Sequence, residues 1–152
     1  MSSKEAEEIK EKANDNLDEG DYYDALENCT IALELSPDDE ELYYIRGEAY
    51  LRLGEHEKAI EDFTKAIELS PENEVSYYNR GTAYHRAEEY EKAIDDFTKV
   101  IEINPDDETA YHNRGTAYYR AEEYEKAIED FTKAIEISSE FEEAYGNRGN
   151  AY

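Results

Sequence analysis

The stretch Tyr77–Pro105 reads YYNRGTAYHRAEEYEKAIDDFTKVIEINP, and it returns almost letter for letter at Tyr111–Ser139. Looser copies run from Tyr43 to Pro71 and from Ile9 to Pro37. Several columns keep step through the copies: Pro37, Pro71 and Pro105; Ala25, Ala59, Ala93 and Ala127; Gly47, Gly81, Gly115 and Gly149, each 34 residues after the last. A fixed period of this length marks an array of one supersecondary unit, whose members bury their apolar faces by stacking.

Each copy divides into two helical segments. Ile9, Ala13 and Leu17 recur at helical spacing over residues 4–18, with Ser2 and Glu5 set as a capping box. Gly20-Asp21 breaks that helix, and a second, over 22–35, ends at Ser36-Pro37 because proline cannot continue it. The pattern predicts first helices near 40–53, 74–87 and 108–121 and second helices near 56–69, 90–103 and 124–137. Helices of about 14 residues, roughly 21 Å long, are marginal alone and must draw their stability from packing. Turns such as Ser36-Pro37-Asp38-Asp39 offer carboxylates to the free N–H groups of the next helix.

The small columns are expected to set the packing, with Gly47, Gly81 and Gly115 facing Ala59, Ala93 and Ala127 so that paired helices cross closely. Tyr50, Tyr84 and Tyr118 and the column Phe63, Phe97 and Phe131 fill the flanking space. Cys29 stands in that phenylalanine column, which makes it a core atom rather than a reactive thiol. Arg46, Arg80, Arg114 and Arg148 precede the glycines and are expected to bridge to acids on the neighbouring repeat's second helix, with Asp62, Asp96 and Asp130 as candidates. Glu61 with Lys65, Asp95 with Lys99 and Glu129 with Lys133 have the favourable order for i, i+4 pairing.

Composition narrows the function. Forty-one acids against 16 Lys plus Arg give a net charge of −25, which repels phosphate backbones and anionic lipid. A basic partner would be steered in at low salt, and the same charge also serves plain solubility. One cysteine permits no intrachain disulfide and no thiolate metal cluster. His56, His85 and His112 are too few and scattered for a zinc site, no HExxH accompanies them, and no glycine loop suits a phosphate. Carboxylate pairs such as Glu88-Glu89 and Asp95-Asp96 lie on solvated helix faces. No enzyme activity, cofactor or metal is therefore expected. MSSKEAEEIKEK has no apolar leader-like core and no run of about 18 apolar residues follows, so a cytoplasmic protein is the default, and the sequon Asn28-Cys29-Thr30 is read as chance.

On Tyr77, Gly81, Tyr84, Ala93, Phe97, Val100 and Pro105, with Val100 where alanine is usual, the chain resembles the tetratricopeptide repeat family, and the likeness covers essentially its whole length. The resemblance implies a right-handed superhelical solenoid of antiparallel helix pairs. It implies repeats at 4–37, 38–71, 72–105 and 106–139 and the first helix of a truncated fifth unit at 140–152. Serine replaces proline at Ser139, and a looser turn is expected there. The fifth unit, with Tyr145, Arg148, Gly149 and Tyr152, leaves a helix face without its partner, so the chain is either a fragment of a longer array or docks end to end on another copy.

The resemblance also implies that the first helices line a concave groove. Its lining would be Lys10 and Asn14, then Tyr44, Ile45, Glu48 and Arg52, then Tyr78, Asn79, Thr82, His85 and Arg86, then His112, Asn113, Thr116, Tyr119 and Arg120. Amides can grip an extended peptide backbone and arginine can take a carboxylate bidentately. The third and fourth repeats differ between Tyr77 and Asn104 at Tyr78/His112, His85/Tyr119, Asp95/Glu129, Val100/Ala134 and Asn104/Ser138, and two of these exchange Tyr and His in the groove. Some family members clamp acidic chaperone tails with lysines, asparagines and an arginine. Lys10 and Asn14 fit that clamp, whereas Ile45, Val75 and Asn79 depart from it. The expected function is a protein-interaction scaffold that holds a peptide or partner segment; the alternative is a structural or self-assembling module, a fragment or engineered array without a ligand.

Overall fold

The computed structural model describes residues 3–152, which form nine α-helices and no strand. These are α1 (Ser3–Glu19), α2 (Tyr22–Leu35), α3 (Glu40–Arg52), α4 (His56–Leu69), α5 (Glu74–Arg86), α6 (Tyr90–Ile103), α7 (Glu108–Arg120), α8 (Tyr124–Ile137) and α9 (Glu142–Ala151). The second helices begin and end where the sequence puts them, and α3, α5 and α7 stop one residue earlier than expected. Ser2, the cap expected for α1, lies outside the described residues.

The chain divides into two compact parts, one up to Asn79 and one from Arg80 to Tyr152, and each is described by itself. In the N-terminal part α1 packs on α2, α2 on α3 and α3 on α4. Ala13, Cys29, Ala32, Leu33, Leu42 and Ile45 form a buried cluster edged by Ile9, Leu17, Tyr43 and Tyr44. Cys29 is wholly buried and burial pushes its thiol up to about 12, so it stays protonated and inert, as its column suggests. In the C-terminal part α6 packs on α7, α7 on α8 and α8 on α9, with Ala127, Phe131 and Ala151 sharing a cluster.

The glycine columns work differently from the expectation. A Cβ placed on Gly47 would lie 2.9 Å from Cε1 of Phe63, and one on Gly115 would lie 2.9 Å from Cε1 of Phe131. Gly81 stands 3.0 Å from Phe97 in the same sense. The close approach is therefore glycine to the edge atoms of a phenylalanine ring rather than glycine to alanine. Phe63, Phe97 and Phe131 are buried as a result, and truncating Phe97 to Ala should cost roughly 3–5 kcal/mol.

Three turns cap the helix that follows with a side chain. Asp39 accepts from the N–H groups of Glu41 and Leu42, Asn73 from Val75 and Ser76, and Asp107 from Thr109 and Ala110. The turn at Ser139 is not looser than the others. Phe141 N donates to the Ser138 carbonyl at 3.2 Å, as Asp107 N does to Asn104 at 3.3 Å, so the turn closes without proline. What is lost is the cap, since Phe141 has no side-chain oxygen to offer α9.

Two expectations about charge need correcting. Arg46, Arg80 and Arg114 do bind Asp62, Asp96 and Asp130, but each aspartate lies 16 residues on, in the second helix of the same pair and not of a neighbour. Lys65, Lys99 and Lys133 reach forward to Glu68, Glu102 and Glu136 instead of back to the acids four residues before them. Lys58, Lys92 and Lys126 sit over the rings of Tyr50, Tyr84 and Tyr118, which leaves that column half-buried and covered by a cation.

Candidate functional site

In the C-terminal part α7, α8 and α9 border a half-open cavity of about 200 Å³. Thr116, Tyr119 and Arg120 from α7, Phe131 from α8, and Asn147 and Asn150 from α9 line it. The three α7 residues face it together because they fall at helical spacing on one side of that helix. Thr116 Oγ1 donates to the His112 carbonyl at 2.9 Å, so its lone pairs are what it can offer a ligand. Tyr119 is 36% exposed and meets Tyr124 edge-on. Arg120 lies over the Tyr90 ring and donates from Nε and Nη2 to its hydroxyl at 3.3 and 3.1 Å.

His112 is 8% exposed and sits between the rings of Phe131 and Phe141. Asn147 Nδ2 lies 2.8 Å from its Nε2, an arrangement that a neutral ring accepting at Nε2 satisfies. Burial holds this imidazole below its ordinary value and so favours that neutral form. His85 is half-buried, edge-on to Tyr90, and its buried Nε2 has no partner among the described residues. Burial first, then Arg120 and Arg86, lower its basicity. Arg86 itself is exposed, while Thr82 and Asn113 are half-buried.

In the N-terminal part Lys10 and Tyr44 are engaged by neighbouring acids, and Tyr44 also meets Asn79. Lys10 Nζ is 3.1 Å from Glu7, 3.1 Å from Asp39 and 3.0 Å from Glu41. Burial alone would weaken its hold on the proton, but hydrogen bonds to Glu41, Asp39 and Glu7 outweigh that and strengthen it. Tyr44 donates its hydroxyl to Glu48 at 2.8 Å and accepts from Asn79 Nδ2 at 3.3 Å, while Arg52 donates to the other Glu48 oxygen at 3.0 Å. Asn14 is exposed and Tyr78 half-buried. Ile45 is 1% exposed and belongs to the core, because its position on α3 turns it toward α1 and α2 and away from any open face.

The geometry therefore brings Thr116, Tyr119 and Arg120 to one cavity and leaves His112 beside it, under Asn147. Asn147, Asn150 and Phe131 were missed as lining residues. A signal for two of them was present: Asn147 continues the column Asn79 and Asn113, and Asn150 continues Thr82 and Thr116. Phe131 read only as core because it stands in the phenylalanine column, and it is indeed 1% exposed.

Paired helices, glycine-to-phenylalanine contacts and a 34-residue period define a helical solenoid repeat protein. The tetratricopeptide repeat model matches residues 40–73, 75–107 and 109–141, and the chain belongs to that family. Among solved structures it is similar to MamA, at 28% identity over 97% of this chain and 80% of that one, with a TM-score of 0.91. A MamA structure (41-end) from Desulfovibrio magneticus RS-1 gives 26% identity over 99% and 85%, with a TM-score of 0.93. The first TPR of Spaghetti (RPAP3), bound to the HSP90 peptide SRMEEVD, gives 26% identity over 74% and 89%, with a TM-score of 0.71. Comparison with curated protein sequences gives no match. The family and these neighbours make the chain a protein-interaction scaffold. Among the described residues no helix is long and apolar enough to cross a membrane.

Proposed function

We propose that the chain holds an extended segment of a partner protein at the cavity between α7, α8 and α9. One observation carries the reading: Thr116, Arg120, Asn147 and Asn150 bring acceptors and donors to a cavity that the rings of Tyr119 and Phe131 also line. A peptide backbone needs both kinds of group, and an apolar side chain needs aromatic surface of the kind Tyr119 offers. In this reading the repeats at 4–37, 38–71, 72–105 and 106–139 carry the other site residues, with Asn14 and Asn79 in the columns of Thr116 and Asn147 and with Lys10, Tyr44 and Tyr78 in the column of His112.

In this reading the ligand differs from the peptide SRMEEVD bound in the Spaghetti structure. Lys10 is already held by three carboxylates, Ile45 is core, and a net charge of −25 opposes an anionic peptide. We read the segment as neutral or basic with an apolar anchor. The chain works in this reading without a cofactor and in the cytoplasm, where the buried Cys29 thiol would stay reduced.

The alternative, a spacer without a ligand, draws support from the N-terminal part, where Lys10 is bound to Asp39 and Tyr44 is bound to Glu48 and Asn79. Display selection of peptides against the chain separates the two. Selected peptides should bind the triple variant Tyr119→Ala, Arg120→Ala, Asn150→Ala at least about tenfold more weakly, at unchanged helicity. Equal binding to parent and variant, or no enriched peptide, removes the reading.

A further inference from the structure

The contact between His112 and Asn147 has a counterpart in the N-terminal part, and the comparison gives its chemistry. There Asn79 donates Nδ2 to the Tyr44 hydroxyl at 3.3 Å, and that hydroxyl passes its own proton to Glu48 at 2.8 Å. His112 and Asn147 occupy the same two columns, with Asn147 Nδ2 2.8 Å from the ring Nε2. Here the acceptor is a ring nitrogen, whose lone pair a proton removes. No glutamate stands in the column of Glu48, which holds Thr116 in this repeat. The rings of Phe131 and Phe141, with centroids 5.6 and 4.9 Å away, hold the imidazole in its place.

The donor and acceptor ends of an amide point apart, so whichever end the ring takes, the other is left for the cavity that Asn147 lines. With Nδ2 on the ring, Oδ1 is left, and it accepts from no other group among the described residues. We propose that His112 sets which end of Asn147 meets the ligand, so that the site takes a peptide N–H while the ring is neutral and rejects it once the ring is protonated. This rests on the reading of the cavity as a peptide site, and it makes His112 a positioning residue there. A protonated imidazole carries N–H on both nitrogens and accepts nothing. Asn147 must then reverse its amide, giving Oδ1 to the ring and turning Nδ2 toward the ligand. A peptide N–H that was paired with Oδ1 now faces another donor, and two unpaired donors weaken binding.

The surroundings keep the ring neutral until the solution turns acidic. Burial lowers its basicity, and a hydrogen bond with Asn113 on α7 and the charge of Glu143 on α9 offset this only in part. Among the described residues no charged group of α6, of α8 or of residues 80–86 in α5 acts on it. The counterpart junction has no such sensitivity, because burial and Glu48 hold the Tyr44 hydroxyl far above its ordinary value.

The probe is a display-selected peptide free of Asp, Glu, His and Cys and blocked at both ends, so that it does not itself titrate in acid. NMR shifts of the imidazole nitrogens locate the pH at which His112 takes its proton in the folded full chain. Binding is then measured on either side of that pH, with circular dichroism confirming equal helicity. Affinity should fall by about tenfold or more as the ring charges. N-methylating one peptide bond should reproduce that loss with the ring neutral and add little once it is charged. His112→Tyr, which restores a hydroxyl acceptor, should show one affinity on both sides. Equal binding by the parent on both sides, the same fall in the Tyr variant, or a ring that stays neutral until the chain unfolds overturns the proposal and leaves the peptide site standing. Failure to select any peptide removes the peptide site and this proposal with it.

Discussion

Arg46 holds Asp62 by both edges, Nε to Oδ2 at 2.7 Å and Nη2 to Oδ1 at 2.8 Å, and the aspartate side chain is only 8% exposed. Burial nevertheless pushes this carboxyl above its ordinary value, against the pull of Arg46. The pair therefore offsets a cost that its own burial creates.

Removing one member alone should expose that cost. Arg46→Gln is expected to destabilise the chain by roughly 2–4 kcal/mol, toward the low side of the range for breaking a buried pair because the arginine keeps some exposure. The double change Arg46→Met with Asp62→Leu should be close to neutral. Denaturant midpoints of the three proteins check this, and a large loss in the double variant would show that the fork is a net source of stability.

Glycine-to-alanine changes should have opposite signs in one column. At Gly47 helix propensity favours alanine by about 1 kcal/mol, but the new methyl would sit 2.9 Å from a buried ring and overpacking costs roughly 1–3 kcal/mol. Gly47→Ala should thus lower the urea midpoint. Gly149→Ala has open space around it and should raise amide-exchange protection along α9.

The turn between paired helices has positive φ in four copies, with glycine at Gly20 and Gly54 and glutamate at Glu88 and Glu122, both at φ 62°. A side chain in that region costs about 1–2 kcal/mol, partly offset by the entropy that glycine adds to the unfolded chain. Glu88→Gly and Glu122→Gly should each stabilise by about 0.5 kcal/mol. Gly54→Glu should do the reverse, as thermal unfolding would register.

His112 gives a pH dependence with a definite sign. Burial lowers its folded-state value below 6.5, so the unfolded chain binds the proton more readily. Stability from this group is complete above 6.5 and is lost as pH falls through the lower folded value, at up to about 1.4 kcal/mol per pH unit for one proton. Protonation also removes the acceptor that Asn147 faces. His112→Tyr, the residue at Tyr44 and Tyr78 in this column, should flatten the dependence relative to the parent in matched pH titrations of unfolding.

Helix positions were legible because period and proline repeat in the sequence, and local rules decide both. A cap from the Ser36-Pro37-Asp38-Asp39 turn was legible for the same reason, and Asp39 supplies it. The site was legible only by column. Thr116, Tyr119 and Arg120 came together as their spacing on α7 requires, but the capture of Lys10 by Asp39 depends on α1 meeting the turn 29 residues on. Ile45 failed because one position on a helix can face either a partner or open space, and only the packing of α1 decides. The glycine contact failed because a flat ring can occupy a gap that size alone would give to alanine.

The arginine fastenings reach 16 residues back to a threonine, as Arg114 does to Thr98, and 16 residues forward to an aspartate, as it does to Asp130. Excising 106–139 would bring Arg148 to the same offset from Thr98, and inserting another such block would supply one more complete set of fastenings. Length is thus a quantity that gene duplication can change without redesigning a joint, which accounts for two adjacent blocks differing so little.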